Sequence, residues 1–184
     1  MQEPRCGVPD FFHSNKIIPI HMTSHYSFFS GRPKWHKRKL KYSFNRNVKE
    51  DVKPHLESAL KEWASKTRFE FTRVANLRLA DIGMSFMPKR THGDGFPFDK
   101  NELGHAFAPP NGSVHLNADK NWSRNGFDIQ SVGLHELGHA LGLGHSRNKK
   151  AIMYPIIFPG EIKHLDEDDI NGIRTLYNFR GRPH

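Results

Sequence analysis

The chain has a single cysteine among its 184 residues, so no intramolecular disulfide can form and nothing covalent staples the fold. It has no run of about 18 apolar residues, which excludes a membrane-spanning helix. The opening residues, Met1-Gln2-Glu3-Pro4-Arg5-Cys6, lack the apolar core of a signal peptide. The closing ones, Gly181-Arg182-Pro183-His184, lack the hydrophobic tail that a lipid anchor needs. As given, the chain therefore carries no address. Negative charge is scarce: 19 Asp and Glu stand against 28 Lys and Arg, a formal net charge of +9. Such a balance suits an anionic partner. The main basic run (Arg32, Lys34, His36, Lys37, Arg38, Lys39 and Lys41) nevertheless reads more simply as a solvated strand edge with its flank. No nucleic-acid motif accompanies the charge, so no nucleic-acid partner is expected.

The remaining composition, 36% hydrophobic and 26% charged, fits one soluble domain with a real core. Residues 1–25 show little periodicity and read as an extended leader. Residues 39–44 alternate charged and apolar side chains, the pattern of a half-buried strand. Over residues 48–64 the apolar positions Val48, Val52, Leu56, Ala59, Leu60 and Trp63 recur at three and four, which predicts an amphipathic helix. Strands are expected at 69–74 and 80–86. Loops rich in Gly, Pro and Asp follow over 88–112, with short strands around His105 and His115. A second helix is expected over 128–141, ended by Gly142 and Gly144, and a third over 166–177, opening on acidic residues that suit its N-terminal dipole. Strands precede two late helices, so the class is α+β.

The segment His135-Glu136-Leu137-Gly138-His139-Ala140-Leu141-Gly142-Leu143-Gly144-His145 carries the chemistry. His135 and His139 are one helical turn apart, so both imidazoles face the same way, at the spacing a metal needs. Gly142 can break the helix and return the chain, letting His145 add a third nitrogen. Three imidazoles leave one position open, the mark of a catalytic rather than a structural zinc. Zinc would polarise a water and a substrate carbonyl, and Glu136, beside His135, would take the water's proton. These residue types predict metal-assisted peptide hydrolysis with no nucleophilic side chain.

The extended motif followed by Met153, in Ala151-Ile152-Met153-Tyr154-Pro155, resembles the metzincins. Pro4-Arg5-Cys6-Gly7-Val8-Pro9-Asp10 resembles the cysteine-switch motif of the matrix metalloproteinases, and residues 28–35 look most like the plant branch. The resemblance implies a metzincin-type catalytic domain, with a twisted, mostly parallel sheet, one antiparallel edge strand and three helices. It implies a remnant of a pro-region over 1–25, a catalytic domain over 26–179 and a tail over 180–184. It also implies an extracellular or cell-surface, monomeric endopeptidase acting on extended polypeptides. Cys6 would ligate the zinc in a latent form, with Met153 beneath the metal. Since only residues 1–3 precede Pro4, latency is expected to be weak or absent. Activation would leave a new N-terminus near Tyr26, whose ammonium would pair with Asp168. The alternative for Asp168 is a plain helix cap.

By the same resemblance His92, Asp94, His105 and His115 would hold a second, structural zinc, and Asp81 and Asp99 match calcium-ligand positions. The chain departs from the family at Asn117 and Lys120, where acidic residues are usual. Calcium needs several oxygen ligands with negative charge, so that site is expected to be weak or lost. The Lys120 ammonium is expected to replace the ion through a salt bridge to Asp99. A pocket for a medium to large apolar side chain would be walled by Tyr154, Pro155 and Ile156, with Leu134 as a further lining residue and the 157–165 loop setting its depth. Two other classes remain at this point: a catalytically weak relative that acts as a binding protein, and a basic polyanion-binding module.

Overall fold

The computed structural model describes residues 3–10, 25–89, 95–123 and 125–179. In chain order the elements are β1 (Lys39–Phe44), α1 (Lys53–Lys66), β2 (Glu70–Arg73), β3 (Ile82–Met87), β4 (Gly104–Ala106), β5 (Ser113–Asn117), α2 (Ile129–Ala140) and α3 (Glu167–Tyr177). The strands form one sheet in the order β2-β1-β3-β5-β4. Every pairing is parallel except β4 with β5, so the sheet is mostly parallel with one antiparallel edge strand. With three α-helices among the described residues, this is the α+β architecture expected.

β1 forms where charged and apolar residues alternate: Leu40 and Tyr42 are buried while Lys39 and Lys41 face outward. α1 buries the stripe Leu56, Ala59, Leu60 and Trp63. It begins five residues later than the periodicity predicts. Residues 45–52 instead form turns, with Val48 N–H donating to Asn45 O and Val52 N–H to Lys49 O, and Pro54 sits in the first helical turn, where its missing N–H costs nothing. Val48 continues the apolar spacing because it is buried from a turn, not from a helix.

α2 is the centre of the molecule. Every residue in it but Gln130 is buried, and α1 and the Met153 turn press on it. Trp63 Nε1–H donates to Leu134 O at 3.0 Å, fixing one helix on the other. Gly138 makes the close approach possible: a Cβ there would lie 2.2 Å from Met153 Sδ. Asp128 caps the start of α2 by accepting from Ser131 N–H at 2.7 Å. The end is broken at Gly142, whose φ of +100° suits glycine, and the chain turns back from there. α3 opens on a reciprocal capping box between Asp166 and Asp169.

Candidate metal centre

His135 and His139 project from α2, and the reversal at Gly142 brings His145 beside them. The Nε2 atoms of His135 and His145 lie 3.1 and 3.2 Å from His139 Nε2. The Cys6 thiol of the leader completes the group, with Sγ 3.4 Å from His139 Nε2. All four residues are buried, and their ligand atoms lie within 4.8 Å of one another.

The proton positions say what the centre is for. His135 Nδ1–H donates to Ile152 O at 2.6 Å and His139 Nδ1–H to Leu143 O at 2.8 Å, because a carbonyl can only accept. His145 Nδ1–H donates to Asp10 Oδ1 at 2.7 Å. The three Nε2 lone pairs therefore point at each other, and none can donate to another. Such an arrangement is repulsive unless a cation lies between. Nitrogens bound at about 2.0–2.1 Å in a tetrahedron stand roughly 3.3–3.4 Å apart, and sulfur and nitrogen slightly farther. The observed spacings fit that geometry for zinc.

Electrostatics agree. Burial lowers His135 to about 3 and His139 well below its ordinary value, so both are neutral at pH 7. Burial also lowers His145, although the Asp10 bond opposes it. Burial, and then Glu136, pushes the Cys6 thiol up. A dication would draw that thiol toward thiolate. Both Glu136 oxygens are buried beside the Cys6 thiol, and desolvation raises the carboxyl to about 8 although that thiol opposes the shift. A buried carboxyl with so raised a pKa, beside three convergent imidazoles, is the arrangement of a group that would ionise and serve as a base once a cation lies next to it. Gly104 on β4 gives it room: a Cβ there would come within 3.2 Å of Glu136 Oε1.

The leader lies across this centre through its own backbone. Arg5 N–H donates to Asn101 O, Cys6 N–H to Pro155 O and Gly7 N–H to Gly104 O, while Arg5 O accepts from Leu103 N–H. Arg5 Nη2 donates to Asp10 Oδ2 at 2.8 Å. The His145 and Arg5 bonds hold Asp10 down at about 2. The grip thus comes from residues 5–10 themselves. The weak latency expected from the short stretch before Pro4 has to be set against this seating.

Met153 packs under α2 with its sulfur against Gly138. Its turn is tied to α3, since Asp169 accepts from Ile152 N–H at 2.8 Å and Met153 N–H at 3.1 Å. Ile152 O in turn holds His135, so α3 is linked to a ligand through one turn. Asp168 accepts from Ser146 Oγ at 2.7 Å and from the backbone N–H of His25 at 2.8 Å, one residue earlier than Tyr26.

The other expected sites are placed less completely. His105 and His115 pair across β4 and β5, with Nε2 and Nδ1 3.2 Å apart, both buried. His92 and Asp94 lie outside the described residues, as does the 180–184 tail. Asp81 meets Lys37 Nζ at 2.7 Å and accepts from Lys41 N–H at 2.8 Å. The expected Lys120–Asp99 salt bridge is corrected: Lys120 Nζ donates to Lys100 O at 2.7 Å, satisfying a backbone carbonyl instead of a carboxylate.

A small cavity of about 10 Å³ beside Glu136 is lined by Leu103, Val132, His135, Glu136, Pro155 and Ile157 together with Cys6. Pro155 is among these residues; Leu134 is not, and is wholly buried in the core. Val132, three residues before His135, shares its face of α2, whereas Leu134, one residue before, is turned about 100° away. Helical spacing could therefore have found Val132. Ile156 bridges to Arg5 through the backbone, and the Tyr154 ring faces Lys163 Nζ at 5.5 Å.

Fold and site together have the architecture of a metzincin-type domain: a central helix carrying two histidines with a glutamate between them, a returning third histidine and a methionine turn beneath. The chain belongs to the matrixin family, whose sequence profile matches residues 34–178. It is 39% identical to Metalloendoproteinase 1-MMP of Arabidopsis thaliana, over 96% of this chain and 53% of that protein. It is 41% identical to Metalloendoproteinase 1 of Glycine max, over 96% of this chain and 63% of that protein. It is 37% identical to Matrix metalloproteinase-20 of Homo sapiens, over all of this chain and 38% of that protein. The chain thus spans little more than half the length of its plant relatives.

Proposed function

We propose that this chain is a zinc-dependent endopeptidase domain with a leader that holds it latent. His135, His139 and His145 would hold the ion, and Cys6 would take the remaining position while the leader is seated. When bound, zinc supplies Lewis acidity for the scissile carbonyl and for water. Glu136 accepts the proton of the attacking water at its carboxylate and delivers it to the departing amine nitrogen. The buried Glu136 carboxyl beside three convergent Nε2 lone pairs is the observation that carries this reading.

An extended polypeptide would occupy the groove now filled by residues 5–10, pairing with β4 on one side and with residues 155–156 on the other. At Arg5 the leader runs parallel to Glu102 and antiparallel to Ile156. A substrate running antiparallel to β4, as the family resemblance implies, would lie the other way round, which explains why the leader can fill the groove uncut. The apolar walls Leu103, Val132, Pro155 and Ile157 beside Glu136 would open, once Cys6 leaves, to an apolar side chain of the residue after the cut. Cleavage before His25 would turn its amide, already bonded to Asp168, into an ammonium facing that carboxylate. His105 and His115, with His92 and Asp94, would hold a second zinc. Calcium would bind weakly at Asp81 and Asp99, since Lys37 already occupies Asp81 and Lys120 supplies a cation at Lys100. No described helix is long and apolar enough to cross a membrane. The working assignment is an extracellular monomer.

The test is hydrolysis of a quenched fluorescent peptide by the zinc-loaded Cys6→Ser chain, with and without Glu136→Ala. Cleavage is expected to fall about 10²–10⁴-fold on losing the base. A folded, zinc-filled Cys6→Ser chain that cleaves nothing even after the leader is cut away before His25 would favour the alternative, a binding protein without turnover.

A further inference from the structure

Each imidazole of the centre is held from behind, but not by the same kind of group. His135 and His139 donate to carbonyls of the catalytic segment itself, Ile152 O and Leu143 O. Both stay in place when the leader departs. His145 donates instead to Asp10, 135 residues away in sequence and part of the leader. The His145 side chain is fully buried while Asp10 is 30% exposed, so the carboxylate reaches inward from the rim to a ring that has no access to water. Arg5 grips the other carboxylate oxygen and fixes its direction.

We propose that Asp10 is a positioning residue of the metal centre: its carboxylate holds His145 as the Nδ1–H form with Nε2 toward the ion, so the leader retains zinc as well as blocking it. This rests on the reading of the three imidazoles as zinc ligands. An imidazole without such a partner interconverts between tautomers and turns about its side-chain bonds. A carboxylate acceptor selects one tautomer, makes a stronger bond than a neutral carbonyl and increases the electron density at Nε2. Partners of this kind typically change metal affinity about 10–100-fold. Departure of the leader therefore withdraws two contacts, the thiol from the open position and the carboxylate from behind the third ligand. His145 is the one ligand whose support changes on activation, and the freed domain holds zinc less tightly than loss of the thiol alone would cause.

The experiment uses the full chain carrying Cys6→Ser, so that no difference passes through the thiol, and adds Asp10→Asn or Arg5→Gln. Zinc affinity is measured by competition with a chelator, and two-bond ¹H–¹⁵N spectra of the metal-free chain report which His145 nitrogen carries the proton. Asp10→Asn is expected to weaken zinc binding about 10–100-fold and to mix the His145 tautomers. Arg5→Gln, which keeps the carboxylate, is expected to lose much less. Unchanged affinity with an unchanged His145 Nδ1–H signal in Asp10→Asn would overturn the proposal. So would equal losses in the two variants, since Asp10 would then serve only as an anchor of the leader. A Cys6→Ser chain that binds no zinc at all would overturn the metal-centre reading itself, and this inference with it.

Discussion

At the scale of single residues, the centre depends on small side chains as much as on ligands. Gly138 lies between His135 and His139 in the sequence, on the side of α2 where the methionine turn packs. Replacing it with alanine would gain about 1 kcal/mol of helix propensity. It would also drive a methyl group into Met153 Sδ at 2.2 Å, with Trp63 at 3.2 Å on the other flank. Met153 and Trp63 are both fully buried and have nowhere to retreat. Gly138→Ala is therefore expected to destabilise by about 1–3 kcal/mol net, read as a lower denaturant midpoint at unchanged slope. An unchanged midpoint would mean that the methionine turn yields easily. The histidine motif itself was legible without coordinates, because one-turn spacing is a property of any helix. The partners of its rings were not: Ile152, Leu143 and Asp10 are brought there by the chain reversal and by the leader.

At the scale of elements, α3 is far from the histidine motif in sequence yet linked to it. Asp166 caps the helix and accepts from Asn148 Nδ2 at 2.9 Å, while Asp169 closes the box and holds the methionine turn. The acidic opening of α3 was readable as a complement to the helix dipole, but its second role needed the tertiary contact. Asp166→Ala is expected to cost about 0.5–2 kcal/mol of stability, measured by chemical denaturation. Zinc affinity should change little, because Asp169 keeps its own bonds to Ile152 and Met153. A large loss of zinc would show that the cap and the turn cannot be separated. The start of α1 shows the opposite limit of sequence reading. Apolar spacing runs on through Val48 and Val52, yet the backbone there is in turns, so periodicity alone cannot tell a helix from a turn that buries the same face.

At the scale of the molecule, three buried neutral imidazoles with converging lone pairs are a strained arrangement without a cation, and removing metal should be felt globally. A ligand that binds only the folded state stabilises it by about 4.1 kcal/mol at 1,000 times its dissociation constant. Chelation is expected to lower the melting temperature by roughly 2–4 °C for each kcal/mol lost, and readdition of zinc to restore it. A melting temperature indifferent to chelator would mean that the centre tolerates being empty.

The sequence by itself determined the local events: an α+β order of elements, the helix that carries His135, Glu136 and His139, its break at Gly142, and the motif around Cys6. These follow from spacing, propensity and turn chemistry, which act over a few residues. Tertiary structure decided what the distant parts meet. It set Asp10 behind His145, turned Val132 rather than Leu134 to the cavity, and gave the Lys120 ammonium a carbonyl instead of the Asp99 carboxylate. Contacts between residues far apart in the chain depend on how whole elements pack, and no local pattern encodes that geometry.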